Sequence, residues 1–413
     1  MPLSLPASRH RTAPSVWWER EDLRFRRGAL CLGRQDLEQL ARSSIGPVFA
    51  YHGARIRRNL GRLLGALRRH APGARVFYAM KANRFSPVLS LLRATGRCGI
   101  DACSPGELLL ARRVGFPEDA ISYTSTSVSD DDLAVLQRHP GVWVNCDSLS
   151  SLRRLGRLMP GREVGLRINP GVGVGYRANR LVRYAGGRVT KFGIYAGEFP
   201  EALRIAANHG LRVTGLHVHA GCGYLTPQLP AWEKVLAIAA DFASQVPTVR
   251  RLNVGGGLGI PLVAGDAPLD LDAWGRTVAR QIARRGLQVW VEPGDYLVKD
   301  SGVLVLQVNT VERKKGTWFI GVNGGFDLHP EPAFYRLPLV PVPCRSPAAG
   351  RRVRLRRATV AGNINEALDL LADHVTLPPL AEGDWLAFLN AGGYGAAMSS
   401  RHCLRGEFTE YLV

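Results

Sequence analysis

The sequence has little lysine. Six of its 54 Lys and Arg residues are lysines, at positions 81, 191, 234, 299, 314 and 315; the rest are arginines. Against 34 acidic residues they leave a formal net charge of +20. On its own that surplus suggests nucleic acid or another anionic surface. The arginines are spread along the chain, however, as a GC-rich codon supply would spread them. The densest cluster, Arg351-Arg352-Val353-Arg354-Leu355-Arg356-Arg357, alternates like an edge strand. The charge therefore reads as a solvated basic surface, with no nucleic-acid partner. Cysteine pairs are also missing: the seven cysteines are odd in number and contain no Cys-x-x-Cys. This argues against a disulfide frame or a structural zinc site, and for a reducing compartment. No apolar run approaches 18 residues, so no membrane span is expected. Met1 to Pro14 lacks the apolar core of a secretory signal. The expected location is the cytoplasm.

What is present is an ordinary globular composition. In 413 residues, 46% are hydrophobic and 21% charged. That length suggests two or three domains, or one large barrel with an appendage. Disorder and collagen are excluded.

Strand-like and helix-like segments alternate from Pro47 to Pro293. Pro47–Tyr51, Arg75–Ala79, Cys98–Ala102, Ile121–Tyr123, Val142–Asn145, the run from Val164, the run from Val213, Arg251–Val254 and Val289–Glu292 read as strands. Helical periodicity marks 54–70, 87–94, 104–115, 130–138, 148–158, 198–209, 229–245 and 271–285, with Ser104 as an N-cap. About eight β/α units in roughly 250 residues predict a parallel (β/α)8 barrel over 47–295. Beyond Asp300 the pattern turns to strands with little helix, at 303–308, 317–322, 353–360 and 384–389. Residues 296–413 are thus expected to form a β domain, joined by strands from 1–46, where Trp17-Trp18 and Ala29–Leu32 look extended.

Four clusters carry chemistry at strand ends, where such a barrel places its site. Lys81 closes the apolar strand Val76-Phe77-Tyr78-Ala79-Met80. A lysine there points into the barrel mouth, and desolvation would lower its pKa and suit it to a Schiff base; at an isolated position it would simply snorkel at the rim. Gly255-Gly256-Gly257 follows a strand and lets backbone amides approach a phosphate. His217 and His219 sit on one side of a strand, with no carboxylate nearby at metal-ligand spacing, so no metal is expected. Glu292 ends a strand before Pro293-Gly294 and can hold a protonated ring nitrogen.

In this order the four clusters resemble the fold-type III pyridoxal-phosphate decarboxylases, the group of diaminopimelate, ornithine and arginine decarboxylases. The likeness runs from about Pro47 to the C-terminus and is closest in layout to diaminopimelate decarboxylase. It implies that Lys81 carries pyridoxal phosphate and that His219 stacks on its ring. Gly255, Gly256 and Gly257 would bind its phosphate and Glu292 its ring nitrogen, keeping the ring an electron sink. Asp101 and Glu107 match an acidic pair near the cofactor, and Arg167 a strand-end arginine near the ring. Tyr394, in Gly392-Gly393-Tyr394-Gly395, matches a tyrosine that reaches the phosphate, beside Gly294. The family builds homodimers with shared active sites, so Asn365 and Glu366 would enter the neighbouring chain's site.

Four departures from the family pattern bear on substrate. Cys222 replaces a phosphate-contacting serine, and a thiol is a weaker donor. Asn365 replaces the proton-delivering cysteine of Gly-x-x-Cys-Glu-x-x-Asp, and an amide cannot act as that acid. The Glu-Pro-Gly-Arg motif ends in Asp295. Glu331, in Glu331-Pro332-Ala333-Phe334-Tyr335, stands where an arginine precedes Pro-x-Leu-Tyr. Arginines there would clasp a distal carboxylate; acids attract a cation. The expected substrate is therefore an amino acid with a cationic distal group, held by Asp295, Glu331, Tyr335 and Glu366. Diaminopimelate, a larger amino-acid conjugate and a non-catalytic binding role are the alternatives. A racemase is disfavoured, because such enzymes face the ring nitrogen with an arginine.

Overall fold

A computed structural model describes residues 16–186, 189–346 and 354–413; the readings made above for Met1–Pro14 and Arg351–Val353 lie outside them. The amphipathic helix Gly53–His70 buries Ile56, Leu60, Leu63 and Leu67 along one stripe, as a helix lying on a sheet must. Eight strands then close into a barrel in sequence order: Arg75–Ala79, Gly99–Ala102, Ile121–Ser125, Trp143–Cys146, Glu163–Arg167, Arg212–His217, Arg251–Asn253 and Gln288–Val291. All neighbours are parallel, and the barrel shuts where Trp290 and Val291 pair with Arg75 and Val76. Barrel and β domain match the predicted architecture. At the N-terminal end of the barrel, the Arg75 and Arg251 guanidinium groups each lie about 5 Å over the Trp290 ring, and Trp143 meets Trp290 edge-on.

The strand Val48–Tyr51 was expected among the barrel units, and it is not one. It pairs antiparallel with Gly302–Lys314 and parallel with Thr409–Leu412, so it belongs to the β sheet. Gly302–Lys314 is the spine of that sheet. It pairs with Trp385–Phe388 and Thr317–Val322. Pro341–Pro343 flanks Trp385–Phe388. Arg356–Ala361 lies between Thr317–Val322 and Leu370–Leu377; the arginine-rich segment therefore feeds an internal strand rather than an edge. Trp17 and Trp18 form a turn, not a strand.

Around Val48–Tyr51 the sheet is buried on both faces, as period-2 alternation allows. Phe49, Tyr51, Leu304 and Leu306 join the large core shared with the barrel. Val48, Ala50, Val303 and Val305 turn the other way, onto Trp18, Leu30, Leu32 and Leu37. These last come from a small antiparallel sheet, Leu23–Arg26, Ala29–Leu32 and Gln35–Asp36, and from the helix Leu37–Arg42, whose N-cap Asp36 accepts two backbone N–H bonds. Among the described residues no helix is long and apolar enough to cross a membrane. Truncating Leu304, fully buried on the barrel side, to alanine should cost about 2–5 kcal/mol, read as a lowered midpoint in urea.

Candidate active site

Lys81 lies on the single helical turn Met80–Ala82 that ends the first barrel strand. Its Nζ donates to Asp101 Oδ2 at 3.0 Å. Asp101 is on the next strand, 2% exposed. Burial by itself would lower the lysine pKa, but the charges of Asp101, Cys103 and Glu292 outweigh it and hold the ammonium above the usual value. The lowered pKa expected from desolvation alone is thus reversed by the acid next door. Burial and the charge of Glu292 push Asp101 up to about 7, against the pull of Lys81. Glu107 also shapes the backbone here. Its carboxylate accepts from the Cys103 amide at 2.8 Å, and Ser104 Oγ accepts from the Glu107 amide. Together they cap the helix Pro105–Val114.

Glu292 is sealed in the barrel. One oxygen accepts from Asn253 Nδ2 at 2.5 Å and the other is 2.8 Å from His217 Nε2. Burial opposes its charge, yet His217, Lys81 and Asn253 together bring it down to about 2. The two histidines thus have different fates. His217 is 2% exposed and spends itself on Glu292, a carboxylate 75 residues away. His219 lies past the strand end and lines the cavity. Burial, with the charges of Lys81 and Arg167, pushes its ring well below the ordinary histidine value, so it is a neutral face. Its Nδ1 accepts from the Gly256 amide at 3.4 Å.

The glycine loop has no room for side chains. A Cβ on Gly256 would lie 2.1 Å from the Glu292 carbonyl oxygen, and one on Gly257 2.1 Å from that of Gly221. Gly255 takes φ +68°, and its amide donates to Asn253 Oδ1. An inner pocket forms between this loop, Lys81, His219, Cys222, Glu292, Gly294, Asp295 and Tyr394. Burial and the charge of Asp295 push the Cys222 thiol up to about 11, so it remains a thiol, 3.6 Å from the Tyr184 hydroxyl. Arg167 is pinned by Asp147 at 2.8 Å, and its guanidinium lies 4.6 Å from the Phe192 ring centroid.

The inner pocket opens into a cavity of about 330 Å³, whose walls include Tyr176, Tyr184, Tyr335, Leu337 and Tyr394. The segment after Arg167 roofs it, tied down where the Tyr176 amide donates to Cys222 O and the Cys222 amide to Val182 O. The cavity walls also include Asp295, Lys299 and Glu331, and Asp295 borders the inner pocket as well. Glu331 was expected as a free acid. Instead both its oxygens lie 2.6 Å from Lys299 Nζ, which reaches Asp295 Oδ1 at 3.4 Å. Lys299 and Glu331 are 3% and 5% exposed.

Asn365 and Glu366 are not in the chain's own cavity. They are exposed on a turn of the β domain, ordered by Asp369, which accepts from the Phe326 and Ile364 amides at 2.7 Å. Sequence reasoning missed Asn253, Asp147, Tyr184 and Lys299. Lys299 left a signal, because it is one of six lysines and follows the apolar Tyr296-Leu297-Val298.

The pyridoxal-binding domain of the pyridoxal-dependent decarboxylases matches residues 54–299. The chain belongs to that family, and it is an amino-acid decarboxylase that works with pyridoxal phosphate. Among its relatives, the diaminopimelate decarboxylase of Methanothermobacter thermautotrophicus is 35% identical over 402 residues, covering 94% of this chain and 91% of that one. A crystal structure from Aquifex aeolicus superposes with a TM-score of 0.81 at 26% identity, covering 95% and 92% of the two chains. The arginine decarboxylase of Paramecium bursaria Chlorella virus, at 18% identity, shares the fold with a TM-score of 0.77 over 91% of this chain and 99% of that one.

The residues present fit the cofactor. An amine, a neutral imidazole face, a glycine cradle that any Cβ would fill and a buried, ionised carboxylate all border one pocket. Lys81→Ala should abolish the near-visible absorbance of the loaded protein. Gly256→Ala should weaken cofactor binding roughly tenfold or more, since the cradle must shift; an absorbance titration checks both.

Proposed function

We propose that the chain removes the α-carboxylate of an amino acid whose distal end carries an ammonium or guanidinium group. The observation that carries this reading is Asp295. It lines both the inner pocket and the outer cavity, and its one hydrogen bond to a side chain among the described residues is a 3.4 Å contact with Lys299. Its remaining lone pairs are available to a cation. The faces of Tyr184, Tyr335 and Tyr394 border the same space and suit a cation too. A cavity of about 330 Å³ matches a ligand the size of a basic amino acid.

In this reading Lys81, Asp101, His219, the glycine loop with Gly294 and Cys222, Glu292, Arg167 and Tyr394 hold the cofactor. When bound, pyridoxal phosphate supplies the sink for the electron pair that departing CO2 leaves. Glu292, ionised and fixed by His217 and Asn253, is the acceptor for a proton-bearing ring nitrogen. His219, neutral, would help hold the cofactor without adding charge. Asn365 cannot deliver a proton. Lys81 Nζ, which lies 3.0 Å from Asp101 Oδ2, would be the proton-bearing group in its place once free of the cofactor.

Diaminopimelate is the second reading. It is the substrate in the relatives' name, and Lys299 offers one cation that a distal carboxylate can use. The chain would act as a homodimer in a reducing, cytoplasmic compartment. Seven unpaired thiols support the latter. Exposed Phe334, Leu368, Leu370 and Leu404, on the same domain as Asn365 and Glu366, support the former.

The test is a substrate panel read by mass spectrometry on the loaded enzyme: L- and D-ornithine, L- and D-lysine, L-arginine and meso-diaminopimelate. A basic amino acid should lose CO2; turnover of meso-diaminopimelate alone would overturn the cationic reading. Asp295→Asn should raise KM for the basic substrate roughly tenfold while kcat changes far less.

A further inference from the structure

One wall of the cavity holds a charge arrangement that neither acid explains alone. A lysine buried to 3% exposure is rare and needs counter-charges. Lys299 has two, Asp295 and Glu331, and they are held unequally. Glu331 brings both oxygens to 2.6 Å from Nζ, whereas Asp295 brings one to 3.4 Å. Glu331 is thereby occupied. Its lone pairs face the lysine, and its formal charge is cancelled at contact distance. Asp295 is left as the acid with capacity to spare. Nearby groups do not alter this balance. His329, two residues before Glu331, is fully buried, and burial and Lys299 push its ring down to about 3, so it carries no charge. Tyr394 contributes its ring, with Nζ 5.7 Å from the centroid. Two further cations line the cavity: Lys81, engaged with Asp101, and Arg84, whose guanidinium donates to the Ala397 carbonyl.

We propose that Lys299 is a specificity-determining residue: by cancelling Glu331 it fixes the distal end of the cavity at one net negative charge, on Asp295, and so selects a substrate with a single distal cation. The inference rests on the cationic reading above and adds to it that selectivity follows the summed charge of the three residues rather than any one of them. Without Lys299, two acids would face each other in a buried wall, and Glu331 would have no partner. Without Glu331, Lys299 would neutralise Asp295, and the preference for a cation would vanish. A cavity wall works this way because a charge there is poorly screened, so adding or removing one unit outweighs small changes of shape.

The experiment measures binding rather than turnover. Loaded protein is titrated by calorimetry with 1,5-diaminopentane and with 6-aminohexanoate, which differ in whether the distal end is an ammonium or a carboxylate. The native protein should bind the diamine roughly tenfold or more tighter. Glu331→Gln should erase that preference. The double variant Lys299→Met/Glu331→Gln, which restores one net negative charge, should bring it back. If Glu331→Gln does not fold, the comparison is between the double variant, which should keep the preference, and Asp295→Asn, which should lose it. A preference unchanged within about twofold in Glu331→Gln, or lost in the double variant, would overturn the role of Lys299 and leave the cationic reading standing. Tighter binding of 6-aminohexanoate by the native protein would instead overturn the cationic reading itself.

Discussion

The Glu292 carboxylate, shut inside the barrel between His217 and Asn253, is the contact on which the site depends. An ion taken out of water is tolerated only when its oxygens are satisfied. Its partners come from the two strands before it, Arg212–His217 and Arg251–Asn253. Parallel pairing sets His217 beside Asn253, and Asn253 beside Trp290, two residues before Glu292. A slip of one residue along either ladder would turn one partner to the opposite face. Strand register and the buried charge are therefore one constraint. The barrel cannot pair its last strands correctly without also fixing this carboxylate between His217 and Asn253.

Much of this was legible in the sequence, for a physical reason. Parallel strands covered by helices are continuous apolar runs, and a lysine or glutamate that ends such a run stands out. Lys81, Glu292 and the triple glycine could be found from the order of residues alone. Val48–Tyr51 misled because Val-Phe-Ala-Tyr is buried on both faces, like a barrel strand. What buries it is the core shared with the barrel on one side and the N-terminal strands on the other, and periodicity does not record the partner. Pairings were also beyond reach. The acids at 295 and 331 were plain, but the cation between them was not. The carboxylate that claims His217 lies a third of the barrel further along the chain. An acid read without its partner looks free.

The division of labour follows the architecture. Lys81 and Glu292, which border the inner pocket, and Asp101, which pairs with Lys81, sit on or next to the ends of closed, mutually braced strands, where small displacements are resisted. Groups that face the outer cavity come from connecting segments and from the β domain: Tyr176 and Tyr184, Glu331 and Tyr335, Tyr394. The same fold serves relatives named for diaminopimelate and for arginine, which is what a fixed chemical core with an adjustable wall permits. In this chain the wall carries two acids with a buried lysine between them.

The placement of Val48–Tyr51 has a consequence for how the chain is made. Its sheet partners, Gly302–Lys314 and Thr409–Leu412, are synthesised only after all eight barrel strands. Until then an apolar strand with open edges waits at the front of the nascent polypeptide, while the segments behind it can close into a barrel. Unpaired edges of this kind invite wrong pairing. The vulnerable interval in the life of this protein is thus the end of its own translation, when an early strand must find the last.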